Sequence, residues 1–394
     1  MKSISAIQLH NKPELIVDEI DIADPTGKQV MVKLISSGIC HSQLHQMHDN
    51  NLPKPFLLGH EATGVVMKTG PDCSYVKEGD HVIATWVRRT PIQGRYLPDL
   101  QGVSYQEKNL NCRITFTWSE IIMCEDEYIV KIPKKYATPE SCIVGCSILT
   151  GAGAVKNTAK VQPGETVAVF GVGGIGLASV KMASLSDAAK IIAIDIDNEK
   201  LEFSKKFGAT HTINSLQSDP IREIHDLTNG GVDYAFDAIG KQITMSQILE
   251  ATKKGGSGAE NLGGTSILIG IPESGDIVLD ANQILLNQKS FKGSLGATYP
   301  EKDFNYFLEM YEKGKFPIDK MISESFELKD INSACSKLEN GEITGRSIIK
   351  FWLWRILIIQ KPLKILKKDL TLKKNRVLNF HFLNWREVSS SWNF

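Results

Sequence analysis

The chain has 394 residues, 42% of them hydrophobic and 23% charged, the make-up of an ordinary globular protein with room for two domains. Lys+Arg and Asp+Glu each number 45, so the overall charge gives no reason to expect a nucleic acid or a membrane surface as partner. No apolar run reaches the roughly 18 residues of a membrane span, and the start MKSISAIQLHNKPELIVDEI lacks the long apolar region of a secretory signal, so the seven cysteines are expected to be reduced thiols in a cytoplasm.

Between residues 28 and 83, short apolar runs (VMVKLI, TGVVMKTG, HVIA) are separated by Gly, Pro and Asp, which predicts a small antiparallel β domain. Within it GICHSQLH, residues 38–45, packs one cysteine and two histidines into eight positions. GHEATGVV adds His60 and Glu61 at a turn leading into a strand, and CIVGCSILTGAG adds Cys142 and Cys146. A catalytic zinc takes three protein ligands and keeps one position open, two cysteines and a histidine being one such set. Wide spacing suits a catalytic site, since structural sites usually hold their ligands in local pairs. Each residue taken singly is more often a buried thiol or a satisfied histidine, so the residues alone leave the ligand set open.

From about residue 160 the pattern changes to strands alternating with helices. GETVAVFGVGGIGLASVKMASLS reads as strand, glycine turn and helix; AKIIAIDIDNEKLEFSKKFG repeats strand then helix; GVDYAFDAIG and GGTSILIGIP are further buried strands. This predicts βαβ units and a parallel sheet. Gly171, Gly173 and Gly176 form GxGxxG, allowing a tight turn, the approach of a pyrophosphate and close packing of helix on strand, with Gly174 at the helix N-terminus, where free N–H groups face phosphate. The next strand ends in Asp195, at the distance expected of an acid that holds an adenosine ribose. A carboxylate there repels the 2′-phosphate of NADP, and no arginine follows to receive it; Lys200 is the nearest cation. The expected cofactor is therefore NAD.

The stretch from Phe351 to Phe394 differs from the rest. It carries nine Lys+Arg against two acids, Asp369 and Glu387, and four of the six tryptophans. FWLWRILIIQ is too short to span a bilayer, and the expectation for 351–394 is an atypical basic tail outside the core fold.

Taken together, GICHSQLH, GHEATGVV, GDHVIA, GC followed by TGAGAV, and VFGVGGIGL resemble the zinc-dependent alcohol dehydrogenases of the medium-chain dehydrogenase/reductase family, over roughly residues 5–350. The resemblance implies an α/β fold: a Rossmann doubly wound parallel sheet at 148–295, plus a GroES-like β-rich catalytic domain from 1–147 and 296–350. It implies Cys40, His60 and Cys146 as ligands of one catalytic Zn2+, with Glu61 the neighbouring acid that approaches the metal. It implies Ser42 and His45 as a proton relay, His41 and Arg346 at the cofactor pyrophosphate, Asp195 and Lys200 at the adenosine ribose, and Thr150 against the nicotinamide. The activity implied is reversible oxidation of a small-molecule alcohol to an aldehyde or ketone, with zinc as Lewis acid, by a homodimer or homotetramer. A thiol-adduct (formaldehyde-type) or polyol dehydrogenase on the same zinc is the alternative, and a non-catalytic NAD-binding protein is the reading from another class.

Two departures from the family pattern stand out. Many members hold a structural zinc with four close cysteines after GDHV; this chain has Thr90, Gln93, Tyr96 and Ser104 at the ungapped positions and only Cys112 nearby, so no such site is expected. Gln43 stands where many members have an aspartate that orients the histidine ligand, which puts that contact in doubt. Trp86 aligns with an aromatic residue flanking the substrate in relatives, and it suggests a floor for small or flat primary alcohols.

Overall fold

The computed structural model describes residues 1–94, 101–296 and 299–351. Residues 352–394, all but one residue of the predicted tail, lie outside the described residues, as does Tyr96.

The apolar runs VMVKLI, TGVVMKTG and HVIA form strands Gln29–Ile39, Ala62–Thr69 and His81–Ala84, neighbours in one seven-stranded sheet. Every pair among them is antiparallel, as their sequence pattern predicts. Strand Arg346–Lys350 joins the other edge of Gln29–Ile39, pairing Ser347 with Ile39 and Ile348 with Gly38, so that a segment from late in the chain lies beside the one carrying Cys40. The last pair, Ile322–Phe326 with Arg346–Lys350, is parallel. Parallel neighbours need a crossover, and helix Ile331–Glu339 provides it. A smaller five-stranded sheet, including Lys2–Gln8 and Ile16–Ile22, completes this half.

Residues 166–293 form a six-stranded sheet in which every pair is parallel. In space the strands run His211–Asn214, Lys190–Asp195, Thr166–Phe170, Tyr234–Asp237, Thr265–Leu268, Ser290–Gly293, the 3-2-1-4-5-6 order of a doubly wound sheet. The order reverses between Thr166–Phe170 and Tyr234–Asp237, and such switch points open a crevice at the carboxyl ends of the strands.

Three helices position the site. Helix α1 spans His41–His48, α2 spans Ser147–Gly153, and α3 spans Gly174–Leu185. All seven residues of α2 are buried. One apolar core runs through it, from Ile83 and Val130 of the antiparallel sheet, by Ile148 and Leu149, to Val167, Val169 and Leu177.

Helices α2 and α3 meet at glycines. A Cβ on Gly151 would lie 2.1 Å from the Ile175 carbonyl oxygen, and one on Gly176 would lie 1.8 Å from that of Gly171. Alanine inside a helix ordinarily gains about 1 kcal/mol over glycine, but at Gly151 it would force two backbones apart, and overpacking of this kind costs about 1–3 kcal/mol. The steric cost wins. We predict that Gly151→Ala lowers the denaturant midpoint with an unchanged slope, whereas alanine at Gly164 on the surface, where a Cβ meets nothing within 4 Å but φ is +87°, produces only the milder penalty of a strained turn.

Candidate active site

Strand Gln29–Ile39 delivers Cys40 as the N-cap of α1, in extended conformation with φ −119° and ψ 147°. His60 lies in the turn before strand Ala62–Thr69, and Cys146 is the N-cap of α2. These three residues, remote in sequence, place their ligand atoms within 4.8 Å of one another, the one such group of metal-binding side chains among the described residues. Zinc–sulfur bonds of about 2.3 Å at tetrahedral angles set sulfurs roughly 3.8 Å apart, so the cluster has the dimensions of a tetrahedral metal site. His60 Nε2 is buried with no hydrogen-bond partner, and an orphaned ring nitrogen facing two thiols asks for a cation. Residues and geometry fit zinc with three protein ligands.

The electrostatics agree. Cys40 is held well below the ordinary thiol range, chiefly by the hydrogen bond it accepts from the Cys146 thiol and further by the Arg346 charge, against its own burial. Cys146, the donor of that bond, is pushed up. Cys142, the other cysteine of CIVGC, is buried with its thiol raised mainly by burial, and it lies outside the three-residue cluster that includes Cys146.

Glu61 and Arg346, expected near the metal and near the cofactor phosphates, are joined to each other. Glu61 is fully buried: Oε1 accepts from Arg346 Nε at 3.0 Å and from Arg346 Nη2, and Oε2 accepts from the Ser147 N–H at 3.2 Å. Burial raises the Glu61 pKa, opposed chiefly by Arg346. The guanidinium expected at the cofactor phosphates is thus engaged with Glu61, because a carboxylate removed from water requires a cation. Arg346 still borders the glycine turn, since a Cβ on Gly174 would lie 3.0 Å from its Cδ and 3.1 Å from Ser147 Oγ.

Gln43 makes the contact that its residue type put in doubt. Its Nε2 lies 2.8 Å from His60 Nδ1, and its Oε1 accepts the Cys40 N–H at 3.1 Å. Ser42, on the first turn of α1, has a buried Oγ with no partner; His45, one turn on, is exposed, and its ring centroid is 6.1 Å from that of His41. No hydrogen bond joins Ser42 to His45. Thr150 Oγ1, Ser147 Oγ and Trp86 Nε1 are likewise buried without partners, and Thr85 Oγ1 accepts the Val87 N–H at 3.3 Å and donates to the carbonyl of Gly145, next to Cys146, at 2.6 Å.

At the glycine turn, Gly171 has φ +84°, and a Cβ on Gly173 would meet nothing within 4 Å, which leaves the approach to the N-terminus of α3 open. Asp195 closes the next strand; Oδ2 accepts from the Val172 N–H at 2.9 Å and Oδ1 from the Ile196 N–H at 2.8 Å, so the acid also braces the turn. Lys200 lies on the following helix, with its Nζ 3.6 Å from where a Cβ on Gly341 would be. The sequence reading missed Ile196, Ile239 and Ile271, which are 60%, 38% and 48% exposed just beyond the ends of three parallel strands and offer apolar walls for a flat ring. An apolar residue directly after the ribose acid is the signal that could have found Ile196.

Breaking the buried pair on one side strands a charge, which typically costs about 3–5 kcal/mol. We therefore expect Arg346→Met to destabilise strongly, and Glu61→Met combined with Arg346→Met to recover much of that loss, as read from denaturant unfolding of the three variants.

Comparison with known proteins gives a consistent picture. The family model for the alcohol dehydrogenase GroES-like domain matches residues 26–134, and that for zinc-binding dehydrogenases matches residues 174–313. The chain is 32% identical over 385 residues to S-(hydroxymethyl)glutathione dehydrogenase of Saccharomyces cerevisiae, covering 89% of this chain and 96% of the relative. It is 32% identical over 360 residues to alcohol dehydrogenase class-3 of Zea mays, covering 84% and 92%. Among solved structures, benzyl alcohol dehydrogenase of Acinetobacter calcoaceticus superposes with a TM-score of 0.79 at 29% identity, covering 89% of this chain and 99% of that one.

Proposed function

Since the chain belongs to the zinc-dependent medium-chain alcohol dehydrogenases, we propose a specific division of labour among its residues. The protein is an NAD-dependent alcohol dehydrogenase. When bound, zinc would supply Lewis acidity at the substrate oxygen and NAD would supply the hydride acceptor. Cys40, His60 and Cys146 hold the metal; the observation that carries this reading is the buried, unpartnered His60 Nε2 beside two thiols. Glu61 and Arg346 form the charged floor under that cluster. Ser42 Oγ receives the alcohol proton and His45, a side chain suited to general acid–base work, passes it to solvent from the exposed side of α1. Gly171, Gly173, Gly174 and Gly176 cradle the pyrophosphate, His41 approaches it, Asp195 and Lys200 meet the ribose, and Thr150 packs on the nicotinamide.

Trp86, which follows the Thr85 bonded to Gly145, provides a flat wall that favours small or flat primary alcohols. The thiol-adduct reading has support in the names of the relatives, but the arginines after Trp86 are already engaged. Arg89 pairs with Glu127 at 3.5 Å and stacks on Tyr75, and Arg88 approaches Glu127 at 3.7 Å. Seven free cysteines suit a reducing cytoplasm, and among the described residues no helix is long and apolar enough to cross a membrane. The edge strand Ser290–Gly293, next to Leu285 and Leu286 at 73% and 67% exposure, is the face through which two copies pair.

An NAD-coupled panel of primary, secondary, aromatic and polyhydric alcohols, with and without glutathione, tests the activity. Primary and aromatic alcohols should lead, and a rate seen only with formaldehyde plus glutathione would establish the thiol-adduct reading instead. About one zinc per chain should survive dialysis and disappear from Cys146→Ala. In the cofactor half, Asp195→Gly should raise the NADP-to-NAD ratio of kcat/KM roughly tenfold or more, the worth of a charge-assisted hydrogen bond, and should raise KM for both cofactors because the Val172 N–H loses its acceptor.

A further inference from the structure

We infer that Gln43 sets how firmly the metal is held, because its one amide must serve two ligands with opposite requirements; this rests on the zinc reading above. Gln43 is 1% exposed on the first turn of α1. One end of its amide, Oε1, accepts the Cys40 N–H at 3.1 Å, and the other, Nε2, lies 2.8 Å from His60 Nδ1. A neutral histidine that offers Nε2 to a metal carries its proton on Nδ1 and needs an acceptor there. The group facing Nδ1 is the NH2 end of an amide, a donor. Rotating the amide by half a turn would bring oxygen to Nδ1–H and turn the NH2 onto the buried Cys40 N–H. In either orientation one pair of N–H groups points at each other within the ligand shell. Gln43 therefore supports Cys40 or the metal-binding tautomer of His60, but not both at once.

A glutamate side chain has the same length and an acceptor at each end. It would satisfy the Cys40 N–H and the His60 Nδ1–H together. Gln43 is thus a positioning residue that makes the site labile. Outer-shell partners of this kind change metal affinity by about 10–100-fold.

The test compares the full-length parent with Gln43→Glu and Gln43→Leu, each loaded with one equivalent of zinc and challenged with excess chelating dye, with cobalt-loaded samples recorded in parallel. Zinc release should slow by roughly tenfold in Gln43→Glu and accelerate in Gln43→Leu, while the cobalt absorption bands of Gln43→Glu stay at parental positions because the ligands are unchanged. Release from Gln43→Glu at the parental rate or faster would overturn the inference, and so would cobalt bands that report a new ligand. If Gln43→Leu fails to fold, the comparison of Gln43→Glu with the parent decides alone. A parent whose cobalt-loaded form shows no thiolate-to-cobalt absorption would instead overturn the zinc reading, which keeps the two failures distinct.

Discussion

The contact between α2 and α3 is the constraint on which the rest of the site depends. Cys146 caps the first of these helices and the glycine turn opens the second, and the two helices meet where Gly151 faces the Ile175 carbonyl with no space for a side chain. Cys146 and the glycine turn are therefore parts of one packed block. Hydride transfer needs the reacting carbon and the nicotinamide held at near-attack distance, and small displacements are costly. Gly151, which excludes slack between the two helices, and Gly176, which does the same between α3 and the glycine turn, meet that need more directly than a loop could. The Ser147 N–H extends the block by binding Glu61, which brings in the strand that follows His60.

Charge balance explains why so polar a cluster tolerates burial. Two thiolates and Glu61 carry three negative charges, and Arg346 returns one, so a divalent cation brings the group to neutrality. One proton shared between the two thiols, with Cys40 pushed down and Cys146 up, meets only half of that demand and leaves the group at a net −1. Gln43 belongs to this arithmetic as a neutral neighbour, supplying hydrogen-bonding atoms and no charge.

Much of this was legible in the sequence, and what was not has a common cause. The antiparallel strands followed from alternation over VMVKLI, TGVVMKTG and HVIA, and the parallel sheet from strands spaced by helices. The glycine turn and Asp195 were visible because their chemistry is local, set by a fixed spacing within one βαβ unit. Cys40, His60 and Cys146 were recognisable because cysteine and histidine are rare and the motifs hold their order. The partnership of Glu61 with Arg346 was not legible: arginine near the glycine turn was expected at phosphate, and only the pairing of Ser347 with Ile39 brings it over Glu61. Gln43 was read as a missing carboxylate, since residue type alone does not reveal that a longer amide reaches the same ring nitrogen. The exposed isoleucines escaped notice because burial, the property that makes them unusual, is not written in a strand pattern.

Glu61 and Arg346 are 285 residues apart in sequence. A ribosome extending the chain at about 5–20 residues per second needs on the order of 15–60 s to pass from one to the other. Throughout that interval the nascent chain holds Cys40 and His60, and later Cys146, with an acidic neighbour and no arginine to neutralise it. The buried ion pair beside the cluster can form only when strand Arg346–Lys350 has left the exit tunnel. A truncated product lacking that strand would keep Cys40, His60 and Cys146 and leave Glu61 without its guanidinium.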